Sequence, residues 1–153
     1  MLAREDQARD DQAAEVAAIR AAIDRFVAAI RSKNIDGVMS IFAPDVISFD
    51  LAPPLQHGGG EIFKQHWQAL FAAYEGAIDY EVRDLQIAVA NDVAFTHSLN
   101  RTSGMLKSGQ NSERWLRWTA CLRKRDGAWR IVHEHVSVPT DLKSGKAALD
   151  LRP

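Results

Sequence analysis

The sequence predicts an α+β fold: a single domain with three N-terminal helices packed on a strongly curved antiparallel sheet that encloses a pocket. Up to about residue 75 the apolar residues recur at three- and four-residue steps, the period of amphipathic helices. Beyond that point, runs rich in β-branched and aromatic residues alternate and are separated by turn signals, the mark of strands. Helices first and a meander afterwards is an α+β order, in which the helices cover only one face of the sheet. A curved sheet wrapped over helices leaves a cavity between the layers, a usual place for a small ligand.

The first helix is expected over residues 12–33, where Val16, Ile19, Ile23, Phe26 and Ile30 share one side. "KNIDG" breaks the pattern, and Asp36 is placed to cap a short second helix carrying Val38, Ile41 and Phe42. "APDVISFD" reads as a turn and a strand ending near Asp50. "LAPPLQHGGG" reads as a loop, since prolines and consecutive glycines disfavour regular structure. A third helix over about 61–75 places Phe63, Trp67, Leu70, Phe71 and Tyr74 together. Strands follow over 78–90, 92–103, 112–125 and 129–138. The tail gives no clear pattern. The expected organisation is a flexible N-terminal segment (1–11), one domain (12–139) and a C-terminal tail (140–153).

With 153 residues the chain is long enough for a substantial core. A formal net charge of −1 gives no sign of a nucleic-acid partner or an anionic membrane. No apolar run approaches the roughly 18 residues of a membrane span, and the charged opening "MLAREDQARDDQ" lacks a signal-peptide core, so a cytoplasmic protein is expected. The single Cys121 excludes an intramolecular disulfide and a multi-cysteine zinc site, and it reads as a packed residue.

Alternation within the late strands separates the two faces of the sheet. Turning the more apolar set of each strand toward the helices puts His97, Arg101, Trp118 and Glu134 inside. Trp115, Arg117, Thr119, His133 and His135 then face outward. A bulge would reverse the assignment beyond it. His133 and His135 have the spacing of metal ligands on a strand, but they lack a third ligand and lie beside Arg117, so no metal site is expected.

The run "DRFVAAIRSKNIDGVMSIFAPDVISFD" resembles the opening of ketosteroid isomerases and SnoaL-like proteins, members of the nuclear transport factor 2-like superfamily. "DGAWRIVHEHVSVP" is similar to SnoaL-like proteins and to the association domain of calcium/calmodulin-dependent kinase. The resemblance covers roughly residues 12–139 and implies a cone-shaped α+β domain. It marks a reaction poorly, because this fold hosts isomerases, cyclases, dehydratases, hydrolases and assembly modules. It aligns Asp50 with the general base of the isomerases. Their oxyanion-hole tyrosine falls at Phe26 and their protonated aspartic acid near Ala120, so ketosteroid isomerisation by that route is not expected. The pocket arginine of the kinase association domain falls at Val136. The resemblance also implies a homodimer through the convex sheet face, for which Trp115, Arg117, His133 and His135 have suitable chemistry.

Asp50, His97 and Glu134 form the candidate catalytic set, and Arg101, Trp118, Trp67, Phe71, Tyr74 and Phe26 the candidate ligand-binding set. A carboxylate against apolar walls has its pKa raised and suits proton transfer near neutral pH. His97 could relay the proton and Arg101 hold an enolate oxygen. A structural arrangement fits the same residues: a buried Glu134–Arg101 ion pair with His97 as a polar neighbour. His57, in the glycine-rich loop, is expected to be exposed on a flexible lid, since the loop lacks the lysine of a phosphate-binding P-loop. Two functions follow. One is an isomerase- or cyclase-type enzyme acting on an apolar carbonyl compound with a carboxylate base and no cofactor. The alternative is a non-catalytic ligand-binding or dimerisation domain.

Overall fold

The computed structural model describes residues 2–153, the side chains of residues 2–5 and 8 excepted. Met1, part of the expected N-terminal segment, lies outside the described residues. Helix α1 spans Leu2–Arg31, ten residues longer at its start than the apolar stripe indicates. Leu, Ala, Arg, Glu and Gln, good helix formers, are frequent in residues 2–11, and the described side chains among them are exposed, so propensity rather than burial extends the helix. Further along, Ile19, Ile23, Phe26 and Ile30 are buried against the sheet. Helix α2 spans Ile35–Met39. Its N-cap is Asn34, whose side chain accepts from the Gly37 amide; Asp36, the expected cap, lies in the first turn. Helix α3 spans Gly60–Ala73 and buries Phe63 and Phe71.

Strands β1 (Phe42–Phe49) and β2 (His57–Gly58) precede α3, so the helices do not form one uninterrupted N-terminal block. Strands β3 (Asp79–Ala90), β4 (Val93–Met105), β5 (Asn111–Arg125) and β6 (Ala128–Ser137) form the expected meander. The six strands lie in the order β2-β1-β6-β5-β4-β3. All neighbours are antiparallel except β1 and β6, which run parallel, with Ser48 opposite Glu134. The β5–β6 hairpin turns through Asp126 and Gly127, both in the left-handed region (φ 50° and 76°), a combination that matches the twist of the flanking strands. In the tail, β7 (Thr140–Asp141) and β8 (Lys146–Ala147) form a separate two-stranded ribbon.

The core lies between α1, α3 and the inner face of the sheet. Phe26 is its hub: it stacks on Trp118 at 5.7 Å and meets Phe42, Trp67 and Tyr80 edge-on. Glu15 joins α1 to the far hairpin by accepting from the Trp129 indole at 2.7 Å and pairing with Lys124. At the other end of the helix, the Arg31 guanidinium donates to the carbonyl of Tyr80. No helix is long and apolar enough to cross a membrane among the described residues.

The face assignment holds for β5 and for the end of β6, but not for β4. Ala94, Thr96, Ser98, Asn100 and Thr102 are buried on the inner face, whereas Phe95 and His97 point outward. The cause is space. Opposite this strand stand Leu116 and Trp118 of β5, paired with Asn100 and Ser98, and bulky residues on both strands would not fit beneath the helices. The β5–β6 register slips between Cys121 and Leu122 of β5, leaving Val132 of β6 unpaired. Trp129 and Ile131 therefore face inward before the bulge, and Glu134 and Val136 after it.

Candidate functional site

A cavity of about 400 Å³ lies between α1, α3 and the inner face of the sheet. Its walls are chiefly apolar and aromatic: Phe26, Phe63, Trp67, Leu70, Tyr74, Leu116 and Trp118 all line it. Four of the expected ligand-binding residues, Phe26, Trp67, Tyr74 and Trp118, are thus brought together. Phe71 is not. It is buried behind Trp67, at 5.9 Å between ring centres, and belongs to the core.

Glu134 reaches the cavity from β6 and is only 4% exposed. One carboxylate oxygen accepts from the Ser48 hydroxyl at 3.0 Å and the other from the Trp118 indole N–H at 2.9 Å. Parallel pairing of β1 with β6 sets Ser48 beside it, and antiparallel pairing with β5 sets Trp118 on the same face. Neither donor carries a charge. Burial drives the Glu134 pKa from its ordinary 4.5 up to about 7; the two hydrogen bonds oppose this, and the charge of Asp50 adds to it. Asp50 follows β1 directly, two residues beyond Ser48, and lines the same cavity half-buried. One of its oxygens accepts from the Leu51 amide at 2.6 Å. The two carboxylates expected from the sequence therefore meet in one apolar chamber.

His97 and Arg101 do not join them. Both lie on β4's outer set, so neither enters the cavity. His97 is exposed beside Gln86 and Thr119. Arg101 pairs with Asp79 at 2.7 Å, Glu81 at 3.1 Å and Glu113 at 3.7 Å. These bonds remove the buried Glu134–Arg101 pair and also the role of Arg101 as an anion holder in the pocket. His57 is likewise not on an exposed lid. It is buried in β2 opposite Ser48, and its Nε2–H donates to the carbonyl of Ala52 at 3.1 Å. Its ring packs edge-on against His66 of α3 at 4.4 Å, and His66 lines the cavity.

Sequence reasoning missed the polar wall facing Phe26. Tyr80 of β3 and Asn100 of β4 line the cavity, and the Asn100 amide donates to the Tyr80 hydroxyl at 2.8 Å. Asn100 in turn accepts from the Ser98 hydroxyl at 2.7 Å. Burial raises the Tyr80 pKa far above its ordinary value; the Asn100 hydrogen bond opposes this and the nearby Glu134 adds to it, so the phenol stays protonated. The small polar alternation Thr96, Ser98, Asn100 was the available signal, since such a set buried in a strand demands partners.

The outer face carries Phe49, Phe95, His97, Thr119, Arg117, His133 and His135. Phe95 is 52% exposed, and Phe49 lies edge-on to His133 at 4.7 Å and to His135 at 5.8 Å. Trp115 lies beneath the Arg83 guanidinium, 4.5 Å from the ring centre. No group of three or more potential metal ligands gathers among the described residues.

A helix-covered, mostly antiparallel sheet around an apolar chamber with inward carboxylates defines a pocket protein of the nuclear transport factor 2-like class. Residues 19–141 match the SnoaL-like domain, and the chain belongs to that family. A nuclear transport factor 2-like protein of unknown function from Pseudomonas putida KT2440 is 31% identical and superposes with a TM-score of 0.83, over 92% of this chain and 98% of that one. A ketosteroid isomerase-like protein from Erwinia carotovora atroseptica is 21% identical (TM-score 0.68, 80% and 95% of the two chains). A candidate scytalone dehydratase from Novosphingobium aromaticivorans is 15% identical (TM-score 0.78, 95% and 99%). At those identities the last two share the fold. No curated protein matches the chain.

Proposed function

We propose that the protein is a cofactor-independent enzyme of the isomerase or cyclase type, moving a proton on an apolar carbonyl compound bound in the cavity. The observation that carries this is Glu134: a carboxyl with a pKa of about 7, held by Ser48 and Trp118 in the same chamber as Asp50. Two carboxyls of unlike environment in one largely apolar site supply a base and an acid. Asp50 takes the proton from the carbon next to the carbonyl. The C–H electron pair forms the new C=C bond as the carbonyl pair moves onto oxygen. Glu134 then delivers its own proton at another carbon of the conjugated system as the oxygen pair re-forms the carbonyl and the C=C pair takes the proton. Proton exchange with solvent returns Asp50 to the carboxylate and Glu134 to the acid. The aromatic walls hold a planar apolar body and exclude water, which strengthens both steps.

The test is hydrogen exchange. An apolar aryl ketone, 2-acetylnaphthalene, incubated with the protein in D2O is expected to gain deuterium beside its carbonyl faster than in buffer. The gain is expected to disappear with Asp50→Asn. Tight binding with no exchange would favour a ligand-binding domain instead. We propose in addition that a second copy of this chain docks on the outer face around Trp115, Arg117, His133 and His135. Support comes from its mixture of exposed aromatic rings, arginine and imidazoles.

A further inference from the structure

We infer that the Tyr80 hydroxyl, held by Asn100, is the donor that receives the ligand's oxygen, so that the cavity takes planar, largely apolar compounds with a carbonyl or enolate oxygen at the Tyr80 end. The inference rests on the carbonyl reading of the cavity and adds to it the group that recognises the oxygen.

Tyr80 is 7% exposed and lines the cavity. A phenol has one proton to give and lone pairs to accept with. The Asn100 amide fills one lone pair at 2.8 Å. The amide is turned that way because its carbonyl accepts from Ser98 at 2.7 Å, which leaves its NH2 for Tyr80. The phenolic proton has no acceptor among the described residues of the protein. A buried donor without an acceptor costs free energy, and the space available to this one is the cavity itself. Donation from Asn100 also polarises the phenol and makes it a stronger donor. Phe26, edge-on to the Tyr80 ring at 6.1 Å, fixes the ring's position. A neutral phenol needs no counter-ion and carries no penalty for a buried charge, so it can meet a neutral carbonyl and then an oxyanion as the carbonyl electrons shift. That is the geometry that stabilises developing negative charge in a low-dielectric site.

The probe is 2-acetylnaphthalene, followed by its fluorescence for affinity and by the infrared carbonyl stretch for hydrogen bonding. In the unaltered protein the carbonyl band is expected to move to lower wavenumber than in an apolar solvent. In Tyr80→Phe the band is expected to return to the apolar position and affinity to fall roughly tenfold, the size of one lost buried hydrogen bond. Asp50→Asn and Glu134→Gln are expected to keep the band shift, because they act on the proton and not on the oxygen. If Tyr80→Phe does not fold, Asn100→Asp measured at about pH 9 serves in its place, since the ionised carboxylate takes the phenolic proton and should abolish the shift. A probe that binds with the same band and affinity in both forms overturns the inference and leaves the cavity reading intact. It would mean that the Asn100 amide is turned the other way and already accepts the phenol's proton. A probe that does not bind the unaltered protein overturns both.

Discussion

Glu134 offers the sharpest test of the site, because its environment fixes both a sign and a size. The carboxyl has a pKa of about 7 in the fold against an ordinary 4.5, and burial is the largest cause. Below pH 4.5 it is protonated whether the chain is folded or not. Between 4.5 and about 7 the unfolded chain gives up the proton while the fold keeps it, so the fold binds more protons and stability must fall as pH rises. Across that interval, at 1.36 kcal/mol per pH unit, the loss comes to about 3 kcal/mol, most of it between pH 5 and 8. Glu134→Gln mimics the protonated acid. Its carbonyl accepts from Trp118, and its NH2 donates to the Ser48 oxygen, whose proton turns away. The variant should therefore match the unaltered protein near pH 4.5 and be more stable by about 3 kcal/mol at pH 8. In a domain of this size that corresponds to a Tm gap of roughly 6–12 °C.

Thermal melts of both proteins from pH 4.5 to 8.5 measure the gap, and the indole 15N–H resonance of Trp118, bonded to the same carboxylate, should titrate with a midpoint near 7. Parallel melting curves, or a Trp118 signal unchanged between pH 5 and 8, would falsify the desolvated carboxyl. Water would then reach Glu134, and the acid role proposed for it would lose its basis.

Other outcomes follow from the same geometry. Asp50→Asn should lower any proton-exchange or turnover rate by roughly 10²–10⁴-fold, the usual cost of losing a general base, with probe affinity nearly unchanged; full activity in that variant would move the base to Glu134 or His66. Turnover that uses Glu134 as an acid should fall as pH rises through about 7, and Glu134→Gln should be nearly inactive at every pH, which a pH–rate profile reads directly. Sedimentation should give a dimer at micromolar concentration, and Trp115→Glu with His135→Glu should shift it to monomer with the helical circular dichroism retained; a monomeric unaltered protein counts against the outer-face contact. Leu122→Ala, deep in the core, should cost about 2–5 kcal/mol by denaturant titration; a cost under 1 kcal/mol would mean that the core collapses readily around the gap.

The elements were legible in the sequence because their signals are local. The stripe Ile19, Ile23, Phe26 and Ile30 specifies a helix whatever it packs against, and Asp126-Gly127 specifies a tight hairpin by backbone preference alone. Facing is not local. In β4, hydropathy favoured Val93, Phe95, His97 and Leu99 as the inner set, but inner space is limited by Trp118 and Leu116 on the next strand. The slip that turns Ile131 inward depends on how β6 pairs with β5, which no residue of β6 announces. The parallel pairing of β1 with β6 is equally silent, and it is what sets Ser48 beside Glu134. The sequence therefore indicated two carboxylates and an aromatic wall, while Tyr80 and Asn100 emerged only once the register was known.

The same register explains why the site is costly to the fold. Glu134 sits where an apolar side chain would pack at no electrostatic cost, between buried Ala120 and Trp118 on one strand and buried Ser48 on the other. No arginine or lysine pairs with it among the described residues: Arg101 pairs on the outer face, Lys124 pairs with Glu15, and Arg114, which lines the same cavity, makes no ion pair with it. The hydrogen bonds of Glu134 come from two neutral donors, and the charge acting on it is that of Asp50. A buried ion pair serving structure alone would have placed a cation there. What is built instead is a proton held loosely enough to leave near neutral pH and walled by aromatic rings. Around it the polar groups Ser48, Trp118, Tyr80 and Asn100 are fixed by hydrogen bonds to Glu134 or to one another. Such an arrangement lowers stability at neutral pH and leaves a dissociable proton in an apolar chamber, which is what the proposed proton transfer requires.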